Sequence, residues 1–305
     1  MKMDRRRFLT TTLAGAGGLV IGCSGTAARQ AAAKPPNPYE IVPLGKTGLK
    51  VSRIGFGTGM RGGGRQSDQT RLGREAFETL LKTAYERGVR VFDMADMYGT
   101  HPYVAGALKG IPRDRYVLIT KIWQHPGGLP EPERLGADAL LDRFRKELAT
   151  DYVDLVLLHC MMSGGWAEEQ KRQMDLLENL KSKGVIRAHG VSCHSLAALE
   201  TAVRTPWCDS VHARINAYGA AMDGPPEKVA PLLASLHAAG KGVVGMKLVG
   251  EGRFRDSDEK KTGSVRYVMG LGSVDTMVVG FTALAEIDDF SARVLAVMQE
   301  KTART

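Results

Sequence analysis

Residues 153–193 read VDLVLLHCMMSGGWAEEQKRQMDLLENLKSKGVIRAHGVSC. The opening seven residues are almost continuously apolar, as a strand covered on both faces requires. Residues 167–183 set apolar side chains at helical spacing among charges, and residues 186–192 return to strand-like composition. Buried strand, amphipathic helix, buried strand is a crossover unit, and its two strands run parallel.

The unit repeats outward in both directions. Strands are expected at residues 53–57, 90–94, 116–121, 153–159, 186–192, 210–215, 242–247 and 275–280, which makes eight. Helices are clearest at 73–87, 135–148, 167–183, 226–239 and 284–299. That count and order predict an α/β chain folded as a closed (β/α)8 TIM barrel. An open doubly wound sheet would carry its glycine fingerprint at the start of a helix after the first strand. Gly57-Thr58-Gly59 does follow the first strand, but RGGGR at 61–65 prolongs it as a loop. Upstream, YEIVPLGKTGLKVSRIGFGTG at 39–59 holds two short strand-like pieces around Lys46-Thr47-Gly48, an N-terminal β-hairpin leading into the barrel. Residues 39–305 show no domain break.

With 43% hydrophobic and 25% charged residues, the chain has the material for a core and lacks the signature of disorder. The formal charge of +9 is partly local: residues 1–22 hold four cations and one anion, and without them +6 remains. That remainder forms no dense basic run, so no nucleic-acid partner is expected. Residues 1–22 read as an export signal, and Arg5-Arg6-Arg7-Phe8-Leu9 resembles the twin-arginine type, whose partner is the machinery that exports folded proteins. VIGC at 20–23 resembles a lipobox, which would make Cys23 a lipid anchor, while Ala31-Ala32-Ala33 offers an ordinary cleavage site. Residues 23–38 form a tether. The expected location is the periplasm or cell envelope. Cys160, Cys193 and Cys208 lack metal-ligand spacing, so no metal site is expected and each reads as a buried thiol; a Cys160–Cys193 pair is the rival. Oligomeric state is not legible.

In a barrel of this kind chemistry gathers where strands end at the carboxyl face. Asp93 ends the second strand, Tyr98 follows in its loop, Lys121 ends the third and His159 the fourth. A phenol of ordinary pKa about 10 is a poor acid near neutrality unless something stabilises its anion. Lys121 is expected to do so for Tyr98, Asp93 to hold Lys121 charged, and His159 to orient a carbonyl. Such groups protonate an oxyanion as hydride arrives, and hydride requires a nicotinamide cofactor.

These residues and their flanks resemble the aldo-keto reductase family over about 44–289. The resemblance is carried by GFGTG, the FDMADMYG loop, LITK, VDLVLLH, GVSCH and VDTMVVGF. It implies reversible interconversion of small carbonyl and alcohol substrates with NADP(H), NAD(H) remaining open. It also implies cofactor contacts at Gly57, Thr58, Ser192, Cys193, His212, Met246 and Lys247, then Gly280, Phe281, Thr282, Glu286 and Asp289. Cys193 stands in place of the family's asparagine, His212 in place of glutamine, and Met246 in place of an aromatic residue. Past the eighth strand the usual Lys-Ser and Arg pattern for a ribose 2′-phosphate is missing, and Lys247 is the nearest candidate cation. Trp123, Trp166 and Tyr218 are candidates for the pocket lining. The alternative is a cofactor-binding barrel of low turnover that acts as a redox-sensing or interaction subunit.

Overall fold

A computed structural model describes residues 35–303. The expected export signal, Cys23 and residues 24–34 lie outside the described residues. The chain enters through the expected hairpin, β1 (Ile41–Pro43) and β2 (Lys50–Ser52), antiparallel with Val42 opposite Val51. Its turn uses Gly48 at φ +76°, a conformation glycine adopts at little cost.

Eight parallel strands follow: β3 (Ile54–Gly57), β4 (Val91–Asp93), β5 (Val117–Ile122), β6 (Val153–Met161), β7 (Ile186–Cys193), β8 (Ser210–Arg214), β9 (Gly242–Met246) and β10 (Thr276–Gly280). They pair in chain order, and β10 closes the ring against β3. The (β/α)8 barrel read from the strand pattern is the observed fold.

Alternation along each strand divides the apolar residues into two cores. Val91, Val117, Ile119, Leu155, Leu157, Ala188, Val244 and Val278 face inward. Leu44, Leu49 and Val51 of the hairpin join them and plug the amino end of the barrel. The hairpin is pinned there by Lys46 N–H donating to Gly240 O at 2.7 Å. Residues of opposite parity, among them Phe56, Val156, Val191, Val211 and Val279, face the helices.

The helices are α1 (Arg74–Arg87), α2 (His101–Ala107), α3 (Ala137–Leu148), α4 (Trp166–Glu169), α5 (Lys171–Ser182), α6 (Leu196–Arg204), α7 (Pro226–Ala238), α8 (Asp258–Leu271) and α9 (Leu284–Thr302). The single helix expected over 167–183 is broken at Gln170, where φ −104° and ψ 11° leave helical geometry. The helix expected from 135 begins at Ala137, whose N–H is taken by the Gln173 side chain of α5 at 2.8 Å. Residues 258–271, not among the helices read from the sequence, form α8 behind a Ser257 cap that accepts from Lys260 N–H at 3.3 Å. Among the described residues no helix is long and apolar enough to cross a membrane.

Candidate active site

Parity decides which side chains meet at the carboxyl mouth. Asp93, Lys121 and His159 share the inward parity of Val91, Ile119 and Leu157, so they continue the interior column upward. Lys121 Nζ donates to Asp93 Oδ2 at 2.6 Å and to Met94 O at 2.9 Å. His212, inward on β8, brings Nε2 to 3.1 Å from Asp93 Oδ1. All four residues are buried. Burial alone would raise the Asp93 pKa; the Lys121 ammonium and the His212 hydrogen bond override it and hold the carboxyl below its usual range. Burial pulls the Lys121 ammonium down, and Asp93 opposes the fall.

Tyr98 is positioned by its loop. Asp96, one turn earlier, is buried between Arg65 Nε at 3.1 Å and an Arg143 nitrogen at 2.7 Å. Gly99 follows at φ +64°, where any Cβ would strike Arg65 O at 2.1 Å. The Tyr98 ring lies flat on the glycine loop: a Cβ on Gly59 would stand 2.2 Å from Tyr98 Cε2, and one on Gly62 2.4 Å from Cδ1. The loop after the first barrel strand is therefore a seat for this ring. Neither that seat nor the Asp96 clamp was read from the sequence, although the glycine run was the visible signal.

The Tyr98 hydroxyl and His159 Nε2 are 3.3 Å apart, with the rings edge to face. Burial depresses the His159 pKa well below its ordinary value, so the ring is neutral and one of its nitrogens is free to accept from the phenol. Lys121, expected to stabilise the Tyr98 anion, makes no hydrogen bond to the phenol: Nζ sits 5.3 Å from the ring centre while two of its protons serve Asp93 and Met94 O. Accordingly the phenol is not acidified here. Burial raises its pKa, and the Asp93 charge adds to the rise.

Around the mouth, Trp123 packs edge-on against His159 at 5.3 Å and His125 at 4.8 Å between ring centres. His194 stands 6.5 Å from His159. Trp166 is not part of this lining: it is buried in the outer core, its indole donating to Ala198 O at 3.1 Å. Tyr218 is exposed and packs edge-on against Phe254.

The residues assigned to the cofactor by resemblance divide sharply. Gly57, Met246 and Gly280 end β3, β9 and β10, Lys247 and Thr282 follow strand ends, and Glu286 and Asp289 lie in the first two turns of α9. Thr58 is buried and donates through N–H and Oγ1 to Asp93 O, each at 2.9 Å, so it braces β4. Ser192 is buried, its Oγ taken by Cys160 N–H at 2.8 Å. Cys193 has the outward parity and packs among the helices; Cys160, Cys193 and Cys208 are all free thiols. Phe281 is likewise in the outer core, edge-on to Phe56. His212, expected at a nicotinamide amide, is fully enclosed and bonded to Asp93. Lys247 pairs with Glu251 at 2.6 Å. Thr282 N–H and Oγ1 donate to Glu286 Oε2 at 2.7 and 3.1 Å. Asp289 is held by Arg293 at 2.5 Å and Lys261 at 3.2 Å. Cys160, at the irregularity near the carboxyl end of β6, and Lys247, directly after β9, adopt φ of +64° and +62°, strained for side-chain-bearing residues. Among the described residues no group of His, Cys, Asp and Glu could hold a metal ion.

A closed barrel with an acid, a lysine, a tyrosine and a histidine converging at its carboxyl mouth defines a class, and residues 53–267 match the model of the Aldo/keto reductase family. The chain belongs to that family. It is similar to methylglyoxal reductase DkgB of Salmonella typhimurium, 32% identical over 136 residues, covering 43% of this chain and 48% of that one. It is also similar to the NADH-specific methylglyoxal reductase of Escherichia coli, 30% identical over 171 residues, covering 50% and 51%. The chain thus spans about half the length of the curated relatives it matches. Its fold is shared with the holo form of an aldo-keto reductase from Bacillus halodurans at TM-score 0.65 and 20% identity, covering 86% of this chain and 96% of the other.

Proposed function

We propose that this chain interconverts small carbonyl compounds and alcohols by hydride transfer, with Tyr98 as the general acid and base. A nicotinamide dinucleotide supplies the hydride when bound. The observation that carries the reading is the Tyr98 hydroxyl poised 3.3 Å from His159 above the buried Asp93–Lys121 pair. A carbonyl oxygen received between the phenol and the histidine would accept the Tyr98 proton as negative charge develops on it. Lys121 is the group that relieves the phenolate left behind, since one of its three protons is not committed to Asp93 or Met94 O. The names of the similar reductases support an α-oxoaldehyde such as methylglyoxal as the first substrate to assay.

Replacing Tyr98 by Phe keeps the ring on Gly59 and Gly62 and removes only the proton. Turnover should fall about 10²- to 10⁴-fold with cofactor affinity retained. Equal loss of both would contradict the role.

Resemblance alone leads to NADP(H), but the charges at the assigned adenosine end favour NAD(H). Glu286 already uses the donors of Thr282, where an anion would seat, and Lys247 is engaged by Glu251. Fluorescence titration with both dinucleotides should show NADH binding at least about tenfold tighter, the effect of about 1.4 kcal/mol of carboxylate–phosphate repulsion. Tighter NADPH binding would return the assignment to NADP(H). The rival reading, a binding barrel of low turnover, draws support from the enclosed Ser192 and His212, and steady-state turnover with methylglyoxal decides between the two.

We further propose export to the periplasm or cell envelope through the twin-arginine machinery, supported by Arg5-Arg6 and the VIGC stretch. Joint Arg5→Lys and Arg6→Lys replacement should leave the protein in the cytoplasm, and Cys23→Ser should abolish any lipid labelling. Unchanged export in the first variant would overturn the proposal.

A further inference from the structure

His212 is the polar side chain whose position the family resemblance does not explain. It sits on β8, and the ring order β4, β5, β6, β7, β8 places that strand four steps from β4, on the opposite wall of an eight-stranded barrel. Its neighbours Val211 and Ala213 face the helices, so His212 has the inward parity. The imidazole therefore reaches across the axis to Asp93 Oδ1, while Lys121 on the adjoining strand takes Oδ2.

We infer that His212 is a positioning residue: it tethers Asp93 across the barrel axis and thereby fixes the Lys121 ammonium that the Tyr98 proton transfer needs. The inference rests on the reductase reading. The chemistry fixes the tautomer. Asp93 is a carboxylate and only accepts, so Nε2 must carry the proton; Nδ1 is buried without a hydrogen-bond partner, so it carries none. A neutral donor satisfies Oδ1 without adding charge, leaving a balanced Asp93–Lys121 pair. Without it, one oxygen of a buried carboxylate is bare, the carboxyl shifts toward its protonated form, and the lysine shifts toward the neutral amine. The coupled change is a proton passing from Lys121 to Asp93, and it takes the positive charge from beside the phenol. The other titratable and charged groups acting on this cluster are Tyr98, His159, His194 and Lys247, with Cys160 acting on Tyr98 and His125 on His159.

The test compares His212→Leu, His212→Gln and His212→Asn. Glutamine reaches about as far as imidazole Nε2 and donates an N–H; asparagine donates but is one carbon shorter. Leucine should lower kcat about tenfold to a hundredfold, the scale of one hydrogen bond to a charged group. It should also displace the pH profile of kcat, with the dissociation constant for the dinucleotide unchanged. Glutamine should restore kcat to within about threefold, and asparagine should not. Unchanged kcat in the leucine variant, or loss of cofactor affinity in step with kcat, would overturn the proposal. If leucine prevents folding, the glutamine–asparagine contrast still decides. ¹³C NMR of the Asp93 carboxyl gives a readout without turnover. Its pKa should rise in His212→Asn relative to the wild type and His212→Gln; equal values would sink the inference even if the wild type proved not to be a reductase.

Discussion

The ring of Tyr98, the proposed proton donor, is held by two residues with no side chain. Gly59 and Gly62 let the Tyr98 ring rest on backbone, and a methyl group at Gly59 would come 2.2 Å from ring carbon Cε2. The ring would have to move away from His159, since the contact is with the middle of a rigid ring. Gly59→Ala should therefore lower kcat about tenfold or more, the loss expected from misplacing a proton donor by a fraction of an ångström. Stability should fall by no more than the about 1–3 kcal/mol typical of overpacking. Steady-state kinetics paired with urea unfolding would check this, and wild-type kcat would show that the glycine seat does not set the ring. Asp93, Lys121 and His159 were legible in the sequence because strand ends are local facts, and Tyr98 because its loop directly follows one of them. What they touch was not: Lys121 turns to Asp93 and Met94 O instead of the phenol, and the partner of His212 lies 119 residues earlier in the chain. Cys193 shows the same limit from the other side. It is the buried thiol that its lack of metal-ligand spacing suggests, whereas the cofactor contact implied by resemblance needs the opposite face of β7.

At the scale of elements, the hairpin is as much a part of the barrel as the strands are. Leu44 is wholly buried, and a Cβ on Gly242 would come within 2.6 Å of its Cγ, so the plug fits without spare room. Truncating Leu44 to Ala should open a cavity at the amino end and cost about 2–5 kcal/mol of stability in urea unfolding. Dinucleotide binding to the remaining folded protein should be unchanged, because the hairpin and the mouth lie at opposite ends. A loss below about 1 kcal/mol would mean that the hairpin is a loose cover. All eight strands were legible to within about two residues, since each is an apolar run too short for a helix and bounded by turns. The helices were less so. Residues 258–271 mix charges, Thr and Gly, with three buried residues, Ser264, Val265 and Val268, so the period is faint. The short α4 ahead of the break at Gln170 carries Trp166, whose indole donates to Ala198 O on α6, a long-range partner that no local pattern records.

For the whole molecule, the distribution of buried titratable groups sets a pH limit on the fold. Four of the seven histidines, His159, His189, His194 and His212, have pKa values depressed chiefly by burial, His194 to about 3. The unfolded chain binds protons at these positions below about pH 6.5, and the folded chain does so only at lower pH. Their contribution to stability is therefore fully present above about 6.5 and is lost as the pH falls toward the folded values. Two carboxyls act in the opposite sense. Burial raises Asp223 to about 6 and also raises Asp275, so the folded state takes up those protons first. Between about pH 6 and 4 this uptake offsets part of the histidine loss. Stability should thus be greatest near or above neutrality, begin to fall below about 6.5, and fall less steeply than the histidines alone would give once Asp223 protonates. His194→Gln removes one depressed group without adding charge. It should reduce the acid slope by up to one proton, about 1.4 kcal/mol per pH unit, in urea unfolding followed from pH 8 to pH 5. A slope identical to wild type would show that the folded protein protonates His194 as readily as the unfolded chain does, below about pH 6.5. In that case the His125–His159–His194 side of the mouth would carry positive charge, and a carbonyl approaching Tyr98 would meet a cation beside it instead of a neutral ring.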